Sequence, residues 1–304
     1  MALKKPDLAR AGDFMWGSAR LLDRQRFSHH ILGADRGPAL TALRAYQNPD
    51  GGFGNALEPD LRAPSSQPGA TNAALEILDQ LHAFDDPCVT QACDYLETIT
   101  CADGGIPFIL PSAAGFPRAP WWQVTEPLTG SIVFTALIAG LLHKNRVRHR
   151  WLDGATEFCW RYAARLAAEE WDRTGPELSR IGRAYEIRAT IAFLDHVNDR
   201  ERANGEFGRL GRRLLDDELV RLDPDAPGEM LTPLHYAPLP QSLAYGLFPK
   251  EVVAAHLDSL AAGQREDGGW MFRWTEWNPA TTLEWRGWLT VESLLVLRAY
   301  GRLS

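Results

Sequence analysis

Gln47-Asn48-Pro49-Asp50-Gly51-Gly52-Phe53 and Gln264-Arg265-Glu266-Asp267-Gly268-Gly269-Trp270 are two copies of one short pattern: a glutamine, an Asp-Gly-Gly step, then an aromatic residue. A third Asp-Gly-Gly lies in Cys101-Ala-Asp-Gly-Gly-Ile-Pro-Phe108, with no glutamine and with Ile106 where the others carry an aromatic ring. The first two Asp-Gly-Gly steps are 53 positions apart and the last two 164 apart, close to three more units of about 55 residues. A unit of that length holds a pair of helices and their connections. The glycine pair fits a helix stop, because glycine enters the left-handed conformation that ends helices without a steric penalty.

Helical periodicity fills the space between these turns. It places helices at roughly 13–32, 36–47, 70–83, 86–101, 128–143, 148–169, 178–197, 203–222, 240–247, 249–264 and 287–302. Some are amphipathic, as in Glu206–Leu222, where Phe207, Leu210, Leu214 and Leu219 line one face against arginines and aspartates. Others, Leu128–Leu142 and Trp288–Tyr300, are apolar nearly all round and read as buried on every side. No run of alternating β-branched residues stands out. Alternating buried and amphipathic helices predict an all-α fold of one domain over residues 1–304. Its form is an α/α toroid, an inner ring of about five to six helices wrapped by an outer ring. The long Gly-, Pro- and Trp-rich loops before the inner helices then rim a central cavity.

Composition narrows the function. Hydrophobic residues make up 45% and charged residues 23%, which excludes a disordered chain. The net charge of −7 argues against a nucleic-acid partner, since phosphate contacts need a basic surface. Four cysteines make no disulfide framework. The start MALKKPDLAR has no apolar stretch behind its lysines, and Leu128–Leu142 is too short to span a bilayer. A cytoplasmic setting is expected, with no transmembrane segment and at most peripheral membrane contact; the oligomeric state is not encoded legibly. Eleven tryptophans are many, and Trp121, Trp122, Trp270, Trp274, Trp277, Trp285 and Trp288 are clustered.

The two intact turns resemble the QW repeat (Gln, three residues, Gly, any residue, Trp or Phe) of squalene–hopene cyclases and related terpenoid cyclases, whose α/α toroid also occurs in protein prenyltransferases. The resemblance implies a scaffold in which the glutamine and the aromatic tie neighbouring helices. It implies an isoprenoid or similar apolar, prenylated substrate in a central cavity lined with aromatic rings, and isomerase or lyase chemistry. The chain departs from both familiar active sites. It has no Asp-x-Asp-Asp string, the acid of cyclases that start by protonation. Its cysteines Cys88, Cys93, Cys101 and Cys159 fall on predicted outer helices with no histidine at ligand spacing, so neither zinc nor another metal or cofactor is expected.

Acid-initiated cyclisation needs a carboxyl group held dry and aromatic faces to stabilise a cation without a counter-ion. Asp60, in Ala56-Leu-Glu-Pro-Asp-Leu-Arg62, is the leading acid, with Glu58 beside it and Glu126 on the next loop as a further carboxylate. Trp121, Trp122, Trp277 and Trp285 are the cation-stabilising candidates. Arg62 and Arg286 could hold a diphosphate or carboxylate, and Tyr185, His235 and Tyr236 complete the loop set. Each has a plainer reading. Glu58 and Asp60 could cap a helix or pair with Arg62, the tryptophans could pack loops, and His235 could be structural. The basic turn His143–Arg150 reads as a solvated helix end. Two other functions fit the same residues: a carbohydrate-active α/α barrel, either glycoside hydrolase or polysaccharide lyase, in which tryptophans stack sugars and carboxylates work in pairs, and a non-catalytic toroid that binds its ligand without turning it over.

Overall fold

The computed structural model describes residues 5–168 and 177–303. Among the described residues there are α-helices, two short 3-10 turns and no strand. The chain forms two compact units, one from Met1–Arg44 with Val220–Ser304, the other from Ala45–Leu219.

The first unit begins with α1 (Leu8–Ser18), α2 (Leu21–Leu32) and α3 (Gly37–Arg44). The second unit holds α4 (Pro68–Gln80), α5 (Pro87–Thr98), α6 (Ile132–Lys144), α7 (Arg150–Ala168), α8 (Glu177–His196) and α9 (Arg200–Asp216). The chain then returns to the first unit with α10 (Pro233–Tyr236), α11 (Lys250–Ala262) and α12 (Pro279–Ala299).

The second unit is two-layered. Helices α4, α6 and α8 pack in succession, α5, α7 and α9 pack in succession, and each of the first three also touches its following neighbour. The sequence explains the sorting. Helix α6 (IVFTALIAGLLHK) buries Ile132, Phe134–Gly140 and Leu142, so it has no wet face to offer. Gly140 lets α8 come close, since a β-carbon there would stand 2.9 Å from the Ala192 carbonyl oxygen. Helix α7 instead buries one stripe, including Trp151, Phe158, Cys159 and Leu166. Chemical caps set the starts: Asp86, Ser131 and Asp199 accept backbone N–H groups at the heads of α5, α6 and α9, and prolines open α4 and α5.

Several predicted helices have different bounds; 203–222, for one, is helical over Arg200–Asp216. The span 13–32 is two helices, because Ala19 and Arg20 are extended. Gly17 lies in the last turn before that break, and local side-chain contacts hold it. Arg24 Nε donates to the Ala19 carbonyl at 2.8 Å, and Arg20 Nε to Asp23 at 2.8 Å. The apolar run from Leu128 becomes helical only at Ile132, where Ser131 caps it. Helix α12 starts at Pro279, well before 287, because Asn278 caps it and Pro279 occupies the first turn. The segment 240–247 contains a 3-10 turn, and the short α10 is not legible as a helix in sequence.

The Asp-Gly-Gly turns are built alike. In each, the aspartate accepts the N–H of the second glycine, at 3.0 Å for Asp50–Gly52 and 3.1 Å for Asp103–Gly105 and Asp267–Gly269. The first glycine is left-handed, with φ of 89°, 89° and 96° at Gly51, Gly104 and Gly268. The second glycine lies against an aromatic ring of another helix: Tyr95 of α5, Phe158 of α7 and Phe14 of α1. The next residue donates its N–H to a buried threonine hydroxyl, about one turn into α4 and α6 and about three turns into α12. Those pairs are Phe53–Thr71 at 3.1 Å, Ile106–Thr135 at 3.0 Å and Trp270–Thr290 at 3.1 Å. Each threonine hydroxyl in turn donates to the carbonyl four residues back, on Gln67, Ser131 and Arg286.

The glutamines extend these turns outward. Gln264 Nε2 donates to the carbonyls of Asp7 and Gly268, and its Oε1 accepts the Asp7 N–H at 2.7 Å, gripping the head of α1. Gln47 Nε2 donates to Gly51 O and to Gln91 of α5. In the middle copy Thr100 stands in the glutamine's place, and its hydroxyl accepts the Trp151 indole N–H of α7 at 3.0 Å. The substitution read as degenerate in sequence still reaches the neighbouring helix.

Candidate functional site

In the second unit the loops that precede α4 and α6 pair with each other. Asp60 O accepts the Ala119 N–H at 2.9 Å, Arg62 N donates to Pro117 O at 3.0 Å, and Leu61 and Arg118 form an isolated antiparallel bridge. Arg118 organises the second loop from within. Its Nε donates to Trp122 O at 2.9 Å and its Nη1 to the carbonyls of Ala113, Ala114 and Phe116. Gln67, at the head of α4, ties the layer down through Ser112 Oγ at 2.8 Å and Leu110 N at 3.0 Å.

Beneath this layer lies an aromatic stack. Trp122 stacks on Phe108 at 4.7 Å and on Phe134 at 5.9 Å, and Phe108 stacks on Phe134 at 5.0 Å. Gly69 of α4 gives it room, since a β-carbon there would stand 2.8 Å from Trp122 Cη2 and 3.1 Å from Phe134 Cζ. Trp122 is 4% exposed, and its indole N–H has no protein partner. Three residues along α4, Asn72 is 6% exposed. Its Nδ2 donates to Glu76 at 3.0 Å, while its Oδ1 has no protein partner.

The sequence candidates of this unit occupy different settings. Asp60 is buried at 3% exposure, and its N–H donates to Glu58 Oε1 at 3.2 Å. Glu58 and Arg62 are half-buried, and Arg62 Nη1 lies 3.4 Å from Pro59 O. Trp122 belongs to the stack, whereas Trp121 is 37% exposed beside the chain turn that shields Trp122. Glu126 is exposed, a setting that keeps a carboxylate in water and unsuited to the role of a dry acid. Tyr185 is half-buried on α8, next to Glu186. Glu186 accepts the Tyr162 hydroxyl at 3.0 Å and pairs with Arg183 at 3.4 Å. Burial and the Glu186 charge push the Tyr162 phenol up to about 12, so it stays a neutral donor.

In the first unit, Trp285 lies edge-on to Trp274 at 5.2 Å and to Trp288 at 6.5 Å, and Trp274 stacks on Phe272 at 4.5 Å. Arg26 is fully buried, stands 4.3 Å over Trp288, and pairs with Asp23 and Glu292. Trp277 is half-buried. Arg286 was expected to hold an anionic group of the substrate. Its guanidinium instead holds Asp267 at 2.7 Å and Trp270 O at 3.2 Å and lies over the Phe14 ring, so it is engaged by the turn. His235 is exposed; its Nδ1 accepts from the Thr232 N–H and faces the Thr232 hydroxyl, closing a cap on α10, and Tyr236 is buried behind it.

The residues missed in sequence are Gly69, Asn72, Phe108 and Phe134, which carry no motif of their own. The residues His149, Asp94 and Glu97 are close enough to share a metal ion. Each already has a partner in the protein. His149 Nδ1 accepts the Trp151 N–H, which leaves the proton on Nε2 facing Asp94 at 3.1 Å, and Glu97 pairs with Arg150. The basic turn around it is likewise committed: Lys144 and Asn145 both hold Asp79. No helix among the described residues is long and apolar enough to cross a membrane.

No protein-family model matches the chain, and no curated protein matches it. Solved structures do. A protein from Actinoplanes aligns with a TM-score of 0.60 over 97% of this chain and 98% of its own, at 16% identity. The type II terpene cyclase MstE from Scytonema aligns in two variants, both in complex with the substrate geranylgeranyl dihydroxybenzoate. One has a TM-score of 0.54 at 15% identity over 98% of this chain and 89% of its own; the other has 0.53 at 14% over 97% and 87%. At such identities the likeness shows the fold, which is all-α and terpene-cyclase-like, in keeping with the α/α toroid read from the repeats.

Proposed function

We propose that the protein is a terpenoid-cyclase-like enzyme that takes an isoprenoid or similar apolar substrate and starts its cyclisation by protonation. The observation that carries this reading is that Asp60, buried at 3% exposure, sits in the loop whose backbone pairs with the loop that carries Trp122 and its stack. A carboxyl group at this position is the candidate proton donor to an alkene carbon. The cation that results has no counter-ion, and the faces of Trp122, Phe108 and Phe134 offer the negative quadrupole that stabilises it. In this reading Asp60 delivers the proton, Glu58 positions it by holding its backbone N–H, and Trp277 and Trp285 are secondary aromatic candidates. The cyclase fold of the solved neighbours supports the substrate class; MstE itself is seen with a prenylated aromatic acid.

The test is direct. The purified protein is incubated with farnesyl and geranylgeranyl alcohols and diphosphates, and products are separated by gas chromatography with mass detection. The expected result is a cyclic product whose rate of formation drops by roughly 100-fold or more in Asp60→Asn, the size of a lost general acid. An Asp60→Asn variant as active as wild type removes Asp60 from the role. The missing Asp-x-Asp-Asp string supports one competing reading, a non-catalytic binder. It predicts tight binding of the same compounds with no turnover.

A further inference from the structure

Two buried polar atoms of opposite kind flank the same end of α4. Among the described residues, the Trp122 indole N–H is a donor without an acceptor, and the Asn72 amide oxygen is an acceptor without a donor. The orientation of the Asn72 amide is fixed by chemistry: Nδ2 faces Glu76 Oε1 at 3.0 Å, and a carboxylate oxygen requires the NH2 group there, so the oxygen must point away from Glu76. Gly69 lies against Trp122, a β-carbon there standing 2.8 Å from Cη2, three bonds from the indole nitrogen, and Asn72 follows three residues on, one turn along α4 at about 1.5 Å rise per residue. The rest of α4 is packed: Ala74, Leu75, Ile77 and Leu78 are fully buried on the other faces. Elsewhere, Tyr95 Oη and Trp285 Nε1 are also buried without a partner among the described residues, and the fully buried Asp23 and Arg26 pair with each other.

A buried donor and a buried acceptor, each without a partner, cost about 1–3 kcal/mol apiece unless something pairs with both. A diphosphate or carboxylate offers acceptors only and would leave Asn72 facing lone pairs. An ammonium offers donors only and would leave the indole N–H unmet. A hydroxyl both donates and accepts. Resting on the cyclase-like reading above, the geometry points to a ligand with an apolar body against the Phe108–Trp122–Phe134 stack and a single alcohol or phenol hydroxyl. That hydroxyl accepts from Trp122 Nε1 and donates to Asn72 Oδ1. Trp122 and Asn72 are thus specificity-determining residues for a hydroxylated rather than a phosphorylated prenyl compound.

The test compares three probes of one chain length by calorimetry on the full-length protein: geranylgeraniol, its methyl ether and its diphosphate. The alcohol is expected to bind at least roughly tenfold tighter than the ether, which can accept but not donate, and tighter than the diphosphate. That preference should vanish in Asn72→Leu, which keeps the shape and removes the acceptor, while Trp122→Phe, which keeps a ring and removes the donor, should weaken alcohol and ether alike. Thermal melts of both variants establish that they fold. If Asn72→Leu does not, the alcohol-to-ether ratio in wild type and the weakening of both probes in Trp122→Phe decide. Equal affinity of ether and alcohol, or tightest binding of the diphosphate, overturns the hydroxyl inference and leaves the apolar-substrate reading standing. Binding of none of the three overturns both.

Discussion

The benzo edge of Trp122 occupies the space that a side chain at Gly69 would fill, with 2.8 Å between Cη2 and the position of a β-carbon. Helix α4 therefore accepts the indole only because residue 69 has no side chain. Gly69→Ala gains some helix propensity, up to about 1 kcal/mol and less in a first turn. It also forces Trp122 and Phe134 aside, and overpacking of that kind costs about 1–3 kcal/mol. The expected sum is a loss of roughly 1 kcal/mol in urea unfolding. In a Trp122→Phe background, where the benzo edge is gone, the same substitution should become neutral. A double-mutant cycle checks this; additivity within about 0.3 kcal/mol would show that the two residues do not press on one another.

The buried threonines that receive the turn amides supply a second prediction. Replacing Thr71, Thr135 or Thr290 by valine keeps the volume and leaves the N–H of Phe53, Ile106 or Trp270 buried without its acceptor. Each change is expected to destabilise by about 1–3 kcal/mol. Hydrogen exchange gives the specific readout: the one amide facing the lost hydroxyl should exchange faster, while Thr→Ser, which retains the oxygen, keeps it protected. Uniform loss of protection across the unit would mean that the hydroxyl serves packing alone.

The left-handed glycines make a third. A β-carbon on Gly51 would run into the Gln91 carbonyl of α5, and one on Gly268 into the Arg10 carbonyl of α1, each at a φ that side-chain-bearing residues rarely adopt. At Gly104 the nearest atom, Gly154 O, stands 3.3 Å away. Gly51→Ala and Gly268→Ala should each cost about 2–3 kcal/mol, from strain and contact together, and Gly104→Ala only the strain of about 1 kcal/mol. For a chain of this size that separates the melting temperatures by about 2–4 °C per kcal/mol, visible by calorimetry. Equal shifts at all three positions would contradict the difference in contact.

These turns also show what was legible in the sequence. Asp-Gly-Gly is local chemistry, readable because backbone conformation and residue type are linked at one place in the chain. The all-α reading followed from it and from helical periodicity. The threonine acceptors were not readable, because Thr71, Thr135 and Thr290 lie 21, 32 and 23 residues beyond their aspartates and only folding brings them to the turn. Thr190 repeats the back-bond to Glu186 O at 2.8 Å on α8, with no Asp-Gly-Gly to announce it. At the site, loop position and residue type singled out Asp60 and Trp122. Asn72 was invisible, since an asparagine inside an amphipathic helix reads as solvated until burial shows otherwise. Arg286 shows the same limit: an arginine near tryptophans suggests an anion site, and nothing local reveals that Asp267, nineteen residues earlier, pairs with it.

The last prediction concerns acid. His196, half-buried at the end of α8, has its imidazole lowered from 6.5 to about 4, first by loss of solvent and then by the nearby charges of Lys144 and Arg200, which Asp79 offsets only in part. Between these two values the unfolded chain binds a proton that the folded chain refuses. Stability therefore rises with pH across that window: the contribution of His196 is whole above about 6.5 and is lost progressively as pH falls toward 4. Burial lowers His143 and His256 as well, so their contributions carry the same sign. Asp267, whose carboxyl is lowered below 3.8 by Arg286, adds a separate loss only at more acidic pH. Urea midpoints measured at intervals from pH 7 to pH 4 should decline, and His196→Asn should flatten the decline by removing one of the protons taken up on unfolding. An unchanged slope in that variant would show that His196 titrates alike in both states.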